Sequence, residues 1–319
     1  MEESIMIGGL KDILMSRAAE WGLPSGGDWK CLFHNSYDPP PLRFKILWFH
    51  GKDRFPLVVT KVGREESAFV REFEGLKKVH PLAQSCVPRP LCLEKTDEFW
   101  MLWMGGVPGL RIPPRASYAA PVLQATVDML VSIHGGLARP AAEASADRHH
   151  RMVERPLAAL MEWGPSAEVR AGCRAIAGTA STEWLRQLPV IQQHGDLFLD
   201  NVIRDRDRYY MVDWETFGAI DLPFYDLLTL IISLLRASGE TPESLDPDLV
   251  RQVPLLIERY TRRLGLPATL VSQLIPLTMA NWFYLHWVND RQRIMESMYA
   301  SIDRYFKNKG AWDEVFISA

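Results

Sequence analysis

Residues 193–215 read QHGDLFLDNVIRDRDRYYMVDWE, a cluster of carboxylates with a histidine, an amide and a tryptophan arranged around two short apolar runs. Val202 and Ile203, and Tyr210, Met211 and Val212 after them, have the β-branched and aromatic character of strands that bury, with a turn around Arg206 to Arg208. Antiparallel pairing about a midpoint at Asp207 brings Asn201 and Asp213 to the same open end of the hairpin, on adjacent strands about 5 Å apart. An amide oxygen and a carboxylate are hard ligands suited to Mg2+, which takes one or two protein oxygens and completes its shell with phosphate and water. Asp196 precedes Asn201 by five residues in a short loop and brings a third oxygen group to the same opening.

Bulk properties bound what such a cluster can serve. A chain of 319 residues is longer than most single domains and favours two lobes. A composition of 47% hydrophobic, 10% aromatic and 24% charged residues is ordinary globular usage. The net charge of −3 excludes a nucleic-acid footprint, which demands clustered Lys and Arg in excess. Cys31, Cys86, Cys92 and Cys173 are too scattered for a zinc clamp and read as inert thiols in a reducing compartment. The start, MEESIMIGGLKD, carries acids where a signal peptide carries bases, and the most apolar run, LLTLIISLL, is about half the length of a membrane span. The expectation is a cytoplasmic protein with no membrane span.

Outward from the hairpin the chain divides by pattern. Residues 1–28 form a helical extension, LKDILMSRAAEWG, ended by LPSGG. From 29 to 104 come three β-rich runs, separated by a Pro-rich loop and by the turn sequence GKDR. The helix ESAFVREFEGLKKV follows, then two more strands in VPRPLCLEKTDEFWMLWMGG with a Gly-Gly stop. Five antiparallel strands and one helix make a small lobe. From 105 to 319 long helical segments dominate, interrupted by the hairpin, with no internal repeat.

HGDLFLDN, with His-Gly-Asp and Asn five positions beyond the Asp, and MVDWE, with its metal-binding Asp, resemble the aminoglycoside phosphotransferase and choline kinase family. DLPFYDLL supplies Pro223 and Asp226 where that family continues with a Pro and an Asp. The resemblance is concentrated in residues 194–226. It implies an α+β, bilobal protein-kinase-like fold: a small antiparallel-sheet N-lobe over 29–104, binding nucleotide, and a larger, mainly helical C-lobe over 105–319. The C-lobe would carry the catalytic loop, the metal site and the acceptor-binding helices. Asp196 would then receive the proton of an attacking hydroxyl, with His194 organising its loop, and Asn201 and Asp213 would hold Mg2+.

A kinase-like site also needs a strand lysine on the nucleotide phosphates, held by a helix glutamate. Lys61 ends the third strand. At 100° per residue Phe69, Val70, Phe73, Leu76 and Val79 form the apolar arc of the helix, and Glu72 falls inside it, whereas Glu74 falls outside beside Lys77 and Lys78. A carboxylate on the buried face requires a counter-charge, which assigns Glu72 to Lys61. HNSYDPPPL has no glycine where protein kinases cover the phosphates, and Ser36 is the candidate phosphate contact there. The resemblance places the interlobe hinge at WMLWMGG, with the main chain of Trp103, Met104 and Gly105 on the purine edge.

The expected reaction is Mg2+-dependent transfer of the γ-phosphate of ATP or GTP to a hydroxyl of a small molecule such as a sugar or an amino alcohol. Trp282 and Trp287 lie in a helix apolar on nearly all sides, for which burial as packing is the default, and the sharper reading makes them, with Trp214, walls of the acceptor pocket. Ten acids against nine bases over residues 240–319 argue against a polycationic acceptor. The competing reading is a catalytically inactive kinase-like nucleotide-binding interaction module. A protein kinase proper is excluded by the missing glycine loop and by DWETFG standing where Asp-Phe-Gly is expected.

Overall fold

The computed structural model describes residues 2–35, 43–83, 86–96, 98–113, 119–238, 245–288 and 292–317. The chain forms two compact units, one of Met1–Leu110 with Ile203–Glu215, the other of Arg111–Val202 with Thr216–Ala319. The hairpin segment groups by its contacts with the sheet unit.

In the first unit α1 (Glu2–Arg17) precedes β1 (Trp29–Asn35), β2 (Arg43–His50), β3 (Val58–Gly63), α2 (Glu66–Val79), β4 (Pro90–Lys95) and β5 (Trp100–Gly105). The sheet is antiparallel, in the order β1-β2-β3-β5-β4. Alternation along β2 buries Phe44, Ile46 and Trp48, which form one core with Val58, Val62, Met101 and Trp103. Leu10, Leu14 and Trp21 join that core, and the Trp21 ring lies 5.5 Å from that of Trp103. The stretch from Leu10 to Trp21 is therefore a structural layer of the sheet unit rather than an appendage. The Gly-Gly stop after β5 also has a steric cause, since a Cβ on Gly106 would lie 1.9 Å from the carbonyl oxygen of Pro56.

A short strand β6 (Leu110–Arg111) leads on to the second unit, and β7 (Val202–Asp205) with β8 (Arg208–Met211) makes the expected hairpin. Arg206 adopts φ 55° in its turn.

The second unit is helical: α3 (Ala119–Leu137), α4 (Arg155–Glu162), α5 (Ala167–Thr179), α6 (Thr182–Leu185), α7 (Tyr225–Ser238), α8 (Pro247–Leu264), α9 (Val271–Val288), α10 (Gln292–Lys307) and α11 (Lys309–Ile317). Nearly every residue of α9 from Leu274 to His286 is buried, with α4, α5, α7, α10 and α11 packed around it. No helix among the described residues is long and apolar enough to cross a membrane.

Candidate functional site

Strand parity decides which groups meet in the first unit. Val58, Thr60 and Val62 turn to the tryptophan core, so Lys61 faces the opposite side of β3. Lys61 pairs in register with Lys45 of β2, which therefore shares that face. The Lys61 ammonium contacts both Glu72 oxygens at 2.7 and 2.6 Å and Asp213 Oδ1 at 2.5 Å. Lys45 Nζ reaches Asp213 Oδ2 at 3.1 Å, and the backbone N–H of Trp214 donates to Glu72 Oε1 at 3.2 Å. Glu72 is 2% exposed and Lys61 7% exposed, while Glu74 faces outward and takes Lys77 at 3.0 Å. Arg43, two residues before Lys45 on the same strand, bonds Glu215 at 3.0 Å and also pairs with Glu65.

Burial opposes the Lys61 charge, but Asp213, Glu72 and Glu215 outweigh it and hold the ammonium above the ordinary lysine range. Burial likewise opposes ionisation of Asp213, yet Lys61 and Lys45 keep its carboxyl well below the usual carboxylate range. For Glu72 burial wins and pushes the carboxyl up, against the attraction of Lys61. Asp213 also takes φ 70°, a left-handed conformation uncommon outside glycine. A buried ion cluster contributes little net stability, because desolvating the charges offsets their attraction. Perturbed groups and a left-handed backbone concentrated at one point make this a candidate functional site.

The second unit builds the loop that carries Asp196. Gly195 sits at φ 88°, and a Cβ there would lie 2.8 Å from the carbonyl oxygen of Thr216, so both conformation and space require glycine. Asp226, fully buried at the start of α7, accepts the backbone N–H of His194 at 2.6 Å and of Gly195 at 2.9 Å. Behind it His134 Nε2 lies 3.2 Å from Asp226, and His134 Nδ1 is hydrogen-bonded to the Tyr260 hydroxyl at 2.6 Å. Burial, then Asp226, holds the Tyr260 phenol well above its ordinary range. His194 is buried and accepts the Asp196 backbone N–H at 3.3 Å. The Asn201 side-chain amide donates to the Asp196 carbonyl at 2.7 Å, which directs its Oδ1 away from that bond. Asp196 itself has His286 Nε2 at 3.8 Å from its Oδ1, and burial, then Asp196 and Asp226, keeps the nearby Tyr225 phenol protonated.

Among the described residues no group of three or more His, Cys, Asp or Glu could hold a metal ion. Asp213 in the first unit offers a carboxylate and Asn201 in the second an amide oxygen, each a hard donor of the type Mg2+ takes.

Other expected contacts fall differently. Ser36 lies outside the described residues. The main chain of Trp103, Met104 and Gly105 is committed to the sheet, paired with Thr60, Val59 and Val58 on one side, with the Gly105 N–H donated to Arg89 on the other. Trp214 is a core residue, 1% exposed, with its indole N–H given to the Met211 carbonyl. Trp282 packs on Phe198 at 5.5 Å, and Trp287 packs against Trp163 and Phe283 at 5.8 and 6.0 Å. Trp282 also borders a cavity of about 220 Å³ among α7, α9, α10 and α11. Lys45, His134 and His286 were not singled out in the sequence, and of these Lys45 alone carried a readable signal, its register with Lys61; Asp226 was named there only as a motif position, with no role.

Phosphotransferases with a protein-kinase-like fold share this antiparallel sheet with a buried strand lysine and a helical part bearing an aspartate loop. The chain belongs to the phosphotransferase enzyme family, whose model matches residues 48–263. Three solved structures are similar in fold. One is a choline/ethanolamine kinase family protein from Mesorhizobium loti, with 15% identity, TM-score 0.57, and 96% of this chain and 97% of that one covered. Another is a thermostable mutant of aminoglycoside phosphotransferase APH(4)-Ia in ternary complex with ADP and hygromycin B, with 15% identity, TM-score 0.56, and 93% and 97% covered. The third is amicoumacin kinase hAmiN in complex with AMP-PNP, Ca2+ and Ami, with 11% identity, TM-score 0.54, and 85% and 88% covered. No curated protein matches the chain significantly.

Proposed function

We propose that this chain transfers the γ-phosphate of a nucleoside triphosphate, ATP or GTP, to a hydroxyl of a small molecule, with Mg2+ as cofactor. The observation that carries the reading is the buried Lys61 ammonium, held by Glu72 at 2.6 Å and Asp213 at 2.5 Å. Glu72 orients the lysine, and Lys61 with Lys45 offers positive charge to the phosphates in place of a glycine loop. Asp213 and Asn201 supply the oxygens for Mg2+, which when bound neutralises charge developing on the phosphate oxygens. Asp196 accepts a hydrogen bond from the acceptor hydroxyl and takes its proton late in the transfer. The acceptor lies by Trp282, and its class is a hydroxylated metabolite such as a sugar or an amino alcohol.

The test is a screen of hydroxylated metabolites for Mg2+-dependent release of ADP or GDP, run beside Asp196→Asn and Asp213→Ala. The reading expects turnover with at least one acceptor and its loss in both variants, with the far-UV spectrum unchanged. Mg2+-dependent nucleotide binding with no release for any acceptor would instead establish an inactive nucleotide-binding module.

A further inference from the structure

Most of α9 is apolar core, which makes its buried polar groups conspicuous. Asn281 gives its amide nitrogen to the carbonyls of Met152 at 2.7 Å and Leu277 at 2.9 Å, a packing role within the helical unit. His286, one turn from the C-terminus of α9 and 5% exposed, has a different neighbour: its Nε2 lies 3.8 Å from Asp196 Oδ1. Residue 286 is four positions after Trp282, on the same helix face, and the two rings meet edge to face at 6.3 Å. Trp282 in turn packs on Phe198, two residues after Asp196. The helix thus supports the aspartate loop at two points, one apolar and one ionisable.

The ionisable point has a mechanical meaning. The backbone of Asp196 is fixed through its N–H on His194 and its carbonyl on Asn201. Its carboxylate is set by a terminal sp³–sp² torsion, which is broad unless neighbours restrict it, and His286 is one such neighbour. A separation of 3.8 Å is within ion-pair reach but too long for a hydrogen bond, and catalytic contacts of this kind tighten in the substrate complex. A leucine would fill the same helix position without the cost of burying an imidazole.

We propose that His286 is a positioning residue for Asp196: it engages Oδ1 and leaves Oδ2 aligned for the acceptor hydroxyl. The role rests on the phosphotransferase reading, and two measurements separate the two claims. With an acceptor from the screen, His286→Phe lowers kcat about 10- to 100-fold, the scale expected from a misplaced reacting group, while the nucleotide KM stays within about twofold. His286→Gln, whose amide nitrogen can occupy the place of Nε2, recovers part of the loss. Independently of turnover, the ring nitrogen resonances of His286 in a long-range 1H–15N spectrum shift on Asp196→Asn. Wild-type kcat in a folded His286→Phe enzyme, or ring resonances indifferent to Asp196→Asn, overturns the assignment. Absence of turnover in the wild type across the screen overturns the phosphotransferase reading instead, and the ring resonances, read without catalysis, tell the two failures apart.

Discussion

Asp226 is the clearest place to test whether the aspartate loop is held as described. Its two oxygens accept the backbone N–H groups of His194 and Gly195 at 2.6 and 2.9 Å in a site with no solvent exposure. Asp226→Ala strands both donors where water cannot replace the carboxylate. Each buried, unsatisfied donor costs about 1–3 kcal/mol, so the pair costs about 2–6 kcal/mol. That is a large share of the roughly 5–15 kcal/mol that holds a typical protein folded. Asp226→Asn keeps one acceptor oxygen and loses one bond, for about 1–3 kcal/mol. Urea unfolding followed by far-UV circular dichroism reads the differences, with the order of stability wild type, then Asn, then Ala. In a helical unit of this size the alanine variant melts about 5–20 °C lower. An alanine variant within about 1 kcal/mol of wild type would refute the anchoring role, because two buried donors cannot be left unpaired so cheaply.

Two other outcomes follow from the first unit. Leu14→Ala, at a fully buried position of α1, destabilises the protein by about 2–5 kcal/mol in urea unfolding, whereas a detachable extension would show no change. Asp213, whose carboxyl is held below its ordinary value of 3.8, contributes stability that is present above that value and lost as pH falls through the lower folded one. The stability difference between wild type and Asp213→Asn should therefore stay level from neutral pH to about pH 4 and shrink below it, and a difference growing on acidification would contradict the pairing with Lys61 and Lys45.

How much of this was legible in the residues depends on the range of the interaction. The five strands, the hairpin and the first helix follow from periods of two and 3.6, which are local and act within a few residues. Glu72 could be chosen over Glu74 because one angle on a helical wheel separates a buried carboxylate from an exposed one. Lys45 was within reach by the same logic: pairing about Asp53 in the GKDR turn sets it opposite Lys61. The His-Gly-Asp loop was legible as a motif, and Gly195 shows why, since neither its backbone angle nor the space by Thr216 admits a side chain.

Other features had no local signature. Nothing in LKDILMSRAAEWG states that Leu14 and Trp21 would close one face of the sheet, because an amphipathic stripe specifies that it must be covered and not by what. Asp226 lies 31 and 32 residues from the N–H groups it holds, and His286 lies 90 residues from Asp196. Which long-range pair forms depends on how whole helices pack, a property of all their contacts together. The sequence alone thus determined the chemistry available and the elements that carry it. The tertiary structure decided that Asp213 shares the Lys61 ammonium with Glu72, which carboxylate received two backbone amides and which received an imidazole.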